Sequence, residues 1–429
     1  MDLNQCNETA IRLRDSCLAD PAHPDGEALN ALLTAAIHPD RMIAANAARA
    51  LIRIVVEELS DRFDPALADA YCAIFTKAIS STLPAFSDSF LRQRYQGLCE
   101  SPVRPLGYLQ AGSPSDILVL SRITLGADIA VSSVFLKAFS IRFPEANLWF
   151  AGPAKNFSLF AGMPRIRHWP IEYPRGGTLA ERFAVADSLH GAFDDGKTWL
   201  VDPDSRISQL GLLPIAPLAS TFYFESRASS PESDASLSTL ASAWCSQYLG
   251  LEEVLPALAV VANDLSTIPS PTRERSQRPI CVSLGVGNNE AKRVSSAFEW
   301  KLLRMLADTG RPLWIDAGAG GPEAEAVLSA ITKASVPEHT ATVLSGSFAA
   351  FCVAMSQSAL YVGYDSAGQH AAAALGIPTI TLFKGFANER MFQRWQPRGP
   401  AQSQVIRVDT NTHEEELLES LPRIVSQLL

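Results

Sequence analysis

Apolar residues recur at helical spacing in four stretches of the first hundred residues: Glu27 to Ile37, Arg41 to Phe63, Pro65 to Ile79 and Phe86 to Leu98. Met42 to Val56 is apolar on most faces, which predicts the central helix of a small bundle. The pattern changes at Ser113 to Asp116. From there, short apolar runs alternate with helical stretches such as Ile129 to Phe143 and Leu237 to Leu249. The runs are Ile117–Leu120, Leu148–Gly152, Trp199–Asp202, Ile280–Leu284, Pro312–Asp316, Ala359–Val362, Thr379–Phe383 and Val405–Val408. Buried strands alternating with helices predict β-α-β units and parallel sheets. A polar, proline-rich segment, Ser266 to Pro279, separates two such sets and reads as a linker. The pattern therefore divides the chain into a helical bundle domain (1–110), an α/β domain (111–268), a linker (269–279) and a second α/β domain (280–429). The amphipathic stretch His413 to Leu429 is expected to form a helix folding back across the domains.

Val362 to Phe383 carries the densest chemistry. A strand turns at Gly363 and Tyr364, and Ser366 opens a helix in which Gln369 is spaced for a capping box. Gly376 stands where a C-terminal cap belongs, Pro378 stops the helix, and Thr379 to Phe383 forms the next strand. The polar groups thus lie at the carboxyl end of a parallel strand, where such sheets bind ligands and a helix N-terminus favours phosphate. Asp202, Asp204 and Arg206 likewise follow a strand, in letters that a salt-bridged turn also produces.

Composition narrows the classes. Hydrophobic residues make up 47% and charged residues 19%, as in ordinary globular proteins. The net charge of −9 argues against a nucleic-acid partner, so an anionic ligand needs a local basic cluster. Lys384, Arg390, Arg394 and Arg398 offer one beside the Ser366 helix. Seven scattered cysteines without a Cys-x-x-Cys pair imply buried free thiols in a reducing compartment and no zinc site. No apolar run is long enough to span a membrane and no secretion segment is visible. The expected location is cytoplasmic, with at most peripheral membrane contact.

Asp365-Ser366, then His370, an alanine-rich helix, Gly376-Ile-Pro378 and a strand ending in Phe383 resemble the donor-binding signature of the heptosyltransferase-like glycosyltransferases, family 9. Ala367 replaces the motif's glycine, and Gly368 follows one place later. Ile141-Arg-Phe-Pro-Glu-Ala146 and Trp395-Gln-Pro-Arg-Gly399 extend the resemblance, which spans about residues 115–429. It implies a GT-B fold, two Rossmann-like domains facing each other across a cleft, here preceded by an all-helical N-terminal domain. It also implies inverting transfer from a nucleotide sugar to the hydroxyl of a glycan, lipid-linked glycan or protein, with no metal or cofactor required. By this resemblance Asp128, in Gly126-Ala-Asp128, is the general base, with one residue more than the family's Gly-Asp; as a residue it is equally a helix cap. Asp202, Asp204 and Arg206 take the acceptor side. Gly287, Lys292 or Arg293, Asp365, Ser366, Gly368, His370 and Lys384 take the donor side. A GT-B nucleotide-sugar epimerase and a noncatalytic nucleotide-sugar-binding protein are the alternative readings.

Overall fold

The computed structural model describes residues 1–429 apart from 112, 195, 229, 231, 264, 266, 267, 270–273, 275, 276, 288, 319 and 338. The expected linker, 269–279, lies largely outside the described residues.

The chain begins with helices α1 (Leu3–Ala19), α2 (Gly26–Ala36), α3 (Arg41–Ala50), α4 (Glu57–Ser60), α5 (Pro65–Thr82) and α6 (Asp88–Glu100). Aspartates cap several of them: Asp25, Asp40 and Asp64 each accept amides of the following first turn. A π-helical stretch, Leu51–Val56, joins α3 to α4. The long helix predicted from Arg41 thus ends at Ser60, and α1 is an element the periodicity did not reveal.

The first α/β unit follows: β1 (Asp116–Leu120), α7 (Leu125–Ala127), a π-helical turn Asp128–Ser132, α8 (Ser133–Arg142), β2 (Asn147–Gly152), α9 (Ala154–Phe157), β3 (Ile166–Pro170), α10 (Leu179–Phe183), β4 (Thr198–Asp202), β5 (Thr221–Tyr223) and α11 (Leu237–Leu249). Its strands are all parallel, in the order β3-β2-β1-β4-β5. Strand β5 is therefore an edge of this sheet, and its Phe222 ring is buried. The second unit contains β6 (Ile280–Ser283), α12 (Ser296–Ala307), β7 (Leu313–Asp316), α13 (Gly321–Ala334), β8 (Ala341–Leu344), α14 (Phe348–Met355), β9 (Leu360–Tyr364), α15 (Ala367–Ala374), β10 (Thr379–Phe383), α16 (Glu389–Arg394), β11 (Ser403–Arg407) and α17 (Glu414–Leu428). It too is parallel throughout, in the order β11-β10-β9-β6-β7-β8.

Alternation along the strands assigns the cores. In β1, Ile117 and Val119 face α8 and α11, whereas Leu118 and Leu120 face the N-terminal helices. One continuous apolar cluster joins Leu32, Val55 and Ile74 of those helices to Leu118, Leu120 and Leu200 of the sheet and to Phe183 of α10. The N-terminal helices are thus the covering layer of one face of the first sheet and share its core. On the other face, the cluster containing Ile117 continues into Trp314, Phe351, Met355 and Tyr361, so the two α/β units share apolar packing. Leu417, Leu421 and Val425 of α17 join the core of the second unit with Leu302 and Leu306 of α12. The last helix therefore packs within its own unit and does not cross to the first.

Candidate active site

In each sheet the strand order reverses between two neighbours, β1 and β4 in the first, β6 and β9 in the second. The carboxyl ends of such strands diverge and leave a crevice. The two crevices meet in a cleft of about 260 Å³. Arg122, Thr124, Gly126, Ala127, Asp204, Arg206 and Arg227 line it from the first unit, Lys292, Asp365, Ser366, Ala367, His370, Met391 and Trp395 from the second, and Asp61 from the helical layer. A Cβ on Gly126 would stand 3.4 Å from the Cα of Ala367 and from His370 Cδ2. The bare backbone there lets α7 and α15 approach across the cleft.

The first wall is an ion network. Arg122 donates to the carbonyl of Pro203 (2.6 Å) and to Ser226 Oγ (3.1 Å), with Asp204 Oδ2 4.0 Å away. Asp204 sits in the left-handed region at φ +63° and accepts from Ser226 Oγ at 2.5 Å. Arg227 Nε lies 3.0 Å from the same carboxylate without its N–H directed along the contact, so charge holds that pair. Arg227 also donates to Asp61 Oδ1 (3.2 Å). Burial alone would lower the Arg227 guanidinium, but Asp204 and then Asp61 outweigh it and push its pKa up. Arg122 goes the other way: burial lowers it and Asp204 offsets only part. Arg206 is tied to Glu57 of α4.

The second wall is built on α15. Ser366 caps the helix through the Gly368 amide (3.3 Å). Gln369 forms no capping box; its amide instead donates to Asp365 and to the carbonyl of Trp395 (3.2 Å). Lys292 Nζ reaches over from the β6–α12 loop to Asp365 Oδ2 (2.6 Å) and to its carbonyl (3.0 Å). His370 packs edge-on against Trp395, ring centroids 6.0 Å apart. Burial pulls its pKa down to about 4, with Asp365 opposing, so the ring is neutral near pH 7. Its Nδ1 is buried and meets no hydrogen-bond partner among the described residues.

Six of the twelve sequence-derived site residues therefore converge on the cleft: Asp204, Arg206, Lys292, Asp365, Ser366 and His370. The other six lie elsewhere. Asp128 is fully buried and accepts from four donors at 2.6–2.7 Å: Ser121 Oγ, the Arg122 amide, Ser132 Oγ and Asn156 Nδ2. Both oxygens are committed inside the domain, and the residue presented to the cleft is Ala127. The extra residue after Gly126 is accommodated where the helix widens into π turns, which turns the carboxylate inward. Asp202 is also interior; burial pushes it up to about 7, against hydrogen bonds from Ser208 and the Ser205 amide. Gly368 lies beneath Tyr361, whose Oη a Cβ would meet at 2.2 Å, so its smallness serves packing. Lys384 ties its loop to the carbonyls of Arg293 (2.6 Å) and Val294 (3.3 Å). Arg293 pairs with Glu299 and Glu290, and with Gly287 it lines a separate cavity of about 670 Å³ beside α13. The basic cluster after Phe383 is also spent structurally: Arg394 donates to the carbonyls of Ser230, Ser233 and Ala235, and Arg398 to Thr239 Oγ1. Arg122 and Asp61 were not singled out from the sequence. Arg122 directly follows a buried strand at a reversal of sheet order, a legible signal once the order is known; Asp61 carried none.

Among the described residues, no group of three or more His, Cys, Asp or Glu side chains is placed to hold a metal ion, and no helix is long and apolar enough to cross a membrane.

Two parallel Rossmann-like units with their switch points opposed make a GT-B fold. The comparisons agree with that class. No protein-family model and no curated protein matches the sequence. Solved structures do match: ADP-heptose lipopolysaccharide heptosyltransferase II of E. coli (18% identity, TM-score 0.51) covers 73% of this chain and 99% of its own. Heptosyltransferase WaaC of E. coli with ADP (16%, 0.52) covers 73% and 100%, and a family 9 glycosyltransferase of Veillonella parvula (14%, 0.54) covers 73% and 98%. The fold is the heptosyltransferase-like fold of family 9.

Proposed function

We propose that this chain transfers a sugar from a nucleoside diphosphate donor to an acceptor hydroxyl, with inversion at the anomeric carbon. The observation that carries this reading is the cleft itself. Lys292 and the N-terminal turn of α15 face Arg122 and Arg227 across a gap at the switch points of both sheets. Leaving-group departure places extra negative charge on the diphosphate. Fixed cations and free helix amides stabilise that charge more in the transition state than in the ground state. Neutral His370 completes the wall and is able to donate one N–H to a phosphate oxygen while remaining uncharged. Charge neutralisation by this set calls on no metal. Because similar solved structures carry ADP and an ADP-heptose analogue, ADP-heptose is the first donor to try.

The test is calorimetric binding of ADP and other nucleoside diphosphates, followed by release of the matching nucleoside diphosphate from ADP-heptose and other nucleotide sugars, with and without EDTA. Saturable ADP binding and EDTA-insensitive release are expected. A protein that binds no nucleoside diphosphate overturns the reading. The inward-turned Asp128 favours one competing reading, a nucleotide-sugar binder without turnover; binding without release under every donor and acceptor would establish it.

A further inference from the structure

Three carboxylates line the cleft, Asp61, Asp204 and Asp365. Asp365 is engaged by Lys292 and Gln369. Asp204 is 1% exposed and sits between two guanidiniums; its Oδ1 is also without a hydrogen-bond partner among the described residues, but it is buried, and a proton arriving there would cancel the charge that both guanidiniums hold. Asp61 differs. Its side chain is 38% exposed, one oxygen meets Arg227, and the other has no hydrogen-bond partner among the described residues. The loop that carries it is held by the second unit at two successive carbonyls. Asn388 donates to the carbonyl of Arg62 (3.0 Å) and Arg390 to that of Phe63 (2.7 Å), both from the second unit. Phe63, buried at φ +54°, lies edge-on to Trp395 at 6.3 Å. An aromatic residue held in that strained conformation indicates a loop whose shape is fixed by what it positions.

We propose that Asp61, brought into the cleft by the N-terminal helices, is the base that takes the acceptor's proton, in place of the Asp128 that faces inward. The inference rests on the transfer reading above. As the acceptor oxygen bonds to the anomeric carbon, the bond from that carbon to the β-phosphate oxygen breaks and its electron pair leaves with the nucleoside diphosphate. The acceptor proton passes to the free oxygen of Asp61 and from there to solvent. The helical layer is then part of the catalytic machinery, not an accessory to it.

The experiment uses the full chain, ADP-heptose as donor and water as acceptor, with ADP release as the readout. Asp61→Asn is expected to lower release by about 10²–10⁴-fold, to leave ADP affinity within about twofold, and to remove the acid limb of the pH–rate profile. Asp61→Glu, which keeps the carboxylate, should restore part of the rate and shift that limb; it carries the test if the Asn variant fails to fold. A rate in Asp61→Asn within about threefold of the parent overturns the assignment. So does a loss that Glu does not relieve with the pH profile unmoved, since that outcome makes Asp61 only a prop for Arg227. A parent that binds ADP yet releases no nucleoside diphosphate from any nucleotide sugar, with water or with any glycan, lipid-linked glycan or protein acceptor added, overturns the transfer reading and this assignment together, and is told apart because the parent itself is silent.

Discussion

Four donors converge on the carboxylate of Asp128, and no water-facing lone pair is left. Replacing it by asparagine turns one acceptor oxygen into an NH₂ that must face a donor already in place. Asp128→Asn should therefore destabilise the fold by about 2–3 kcal/mol, seen as a lower melting temperature, whereas the folded fraction should bind ADP as the parent does. A normal melting temperature with a large loss of turnover would instead return the base role to Asp128. His370 offers a second residue-scale test. Its folded pKa of about 4 lies below the usual 6.5, so the unfolded chain binds the proton more readily. Stability from this group is fully present above pH 6.5 and is lost as pH falls towards 4, by roughly 1.4 kcal/mol per pH unit and about 3 in all. His370→Asn should flatten that part of the denaturant-derived stability curve relative to the parent; parallel curves would show that the ring is not buried neutral. The local helix start at a strand's end singled out Ser366, and the family resemblance added Asp365 and His370; all three line the cleft because that helix start sits at the sheet's switch point. The inward turn of Asp128 was not legible, since one extra residue rotates a side chain by about 100° around a helix and the π turn that absorbs it has no signature of its own.

Among the elements, α16 shows how a basic segment that resembled a phosphate site became a fastener. Arg394 is 2% exposed and its guanidinium donates to three carbonyls of the loop leading to α11 in the other unit. Arg394→Ala would leave those carbonyls and the space unfilled, costing about 2–4 kcal/mol, and should make amides around residues 230–235 exchange faster with deuterium. Unchanged exchange there would mean that the shared apolar packing alone holds the units together. Strands β6, β7 and β10 were readable within a residue or so because each is a short apolar run bounded by turn residues; β9 runs on through Gly363 and Tyr364, which read as the turn but pair in the sheet. The fate of the arginines was not, because what a guanidinium meets depends on which distant loop the fold delivers to it. Helix α17 is a similar case: its apolar stripe was plain, but a stripe does not say which core it covers.

At the scale of the molecule, the two sheets follow from alternating strand and helix patterns, and the GT-B arrangement from the residues around Asp365. What the pattern did not disclose is that the first hundred residues complete the first sheet's core, because helical periodicity reports an apolar face and not its partner. That arrangement has a consequence for synthesis. Helices α1 to α6 are made before the strands that finish their core: Leu118 and Leu120 follow α6 closely, but Leu200 comes much later. At about 5–20 residues per second, Leu200 follows the end of α6 by roughly 5–20 s. Until then the apolar face of the leading helices is covered only in part, by one another and by the strand and helix residues made before β4, and the last strand to seat on that face acts as the lock on everything made before it.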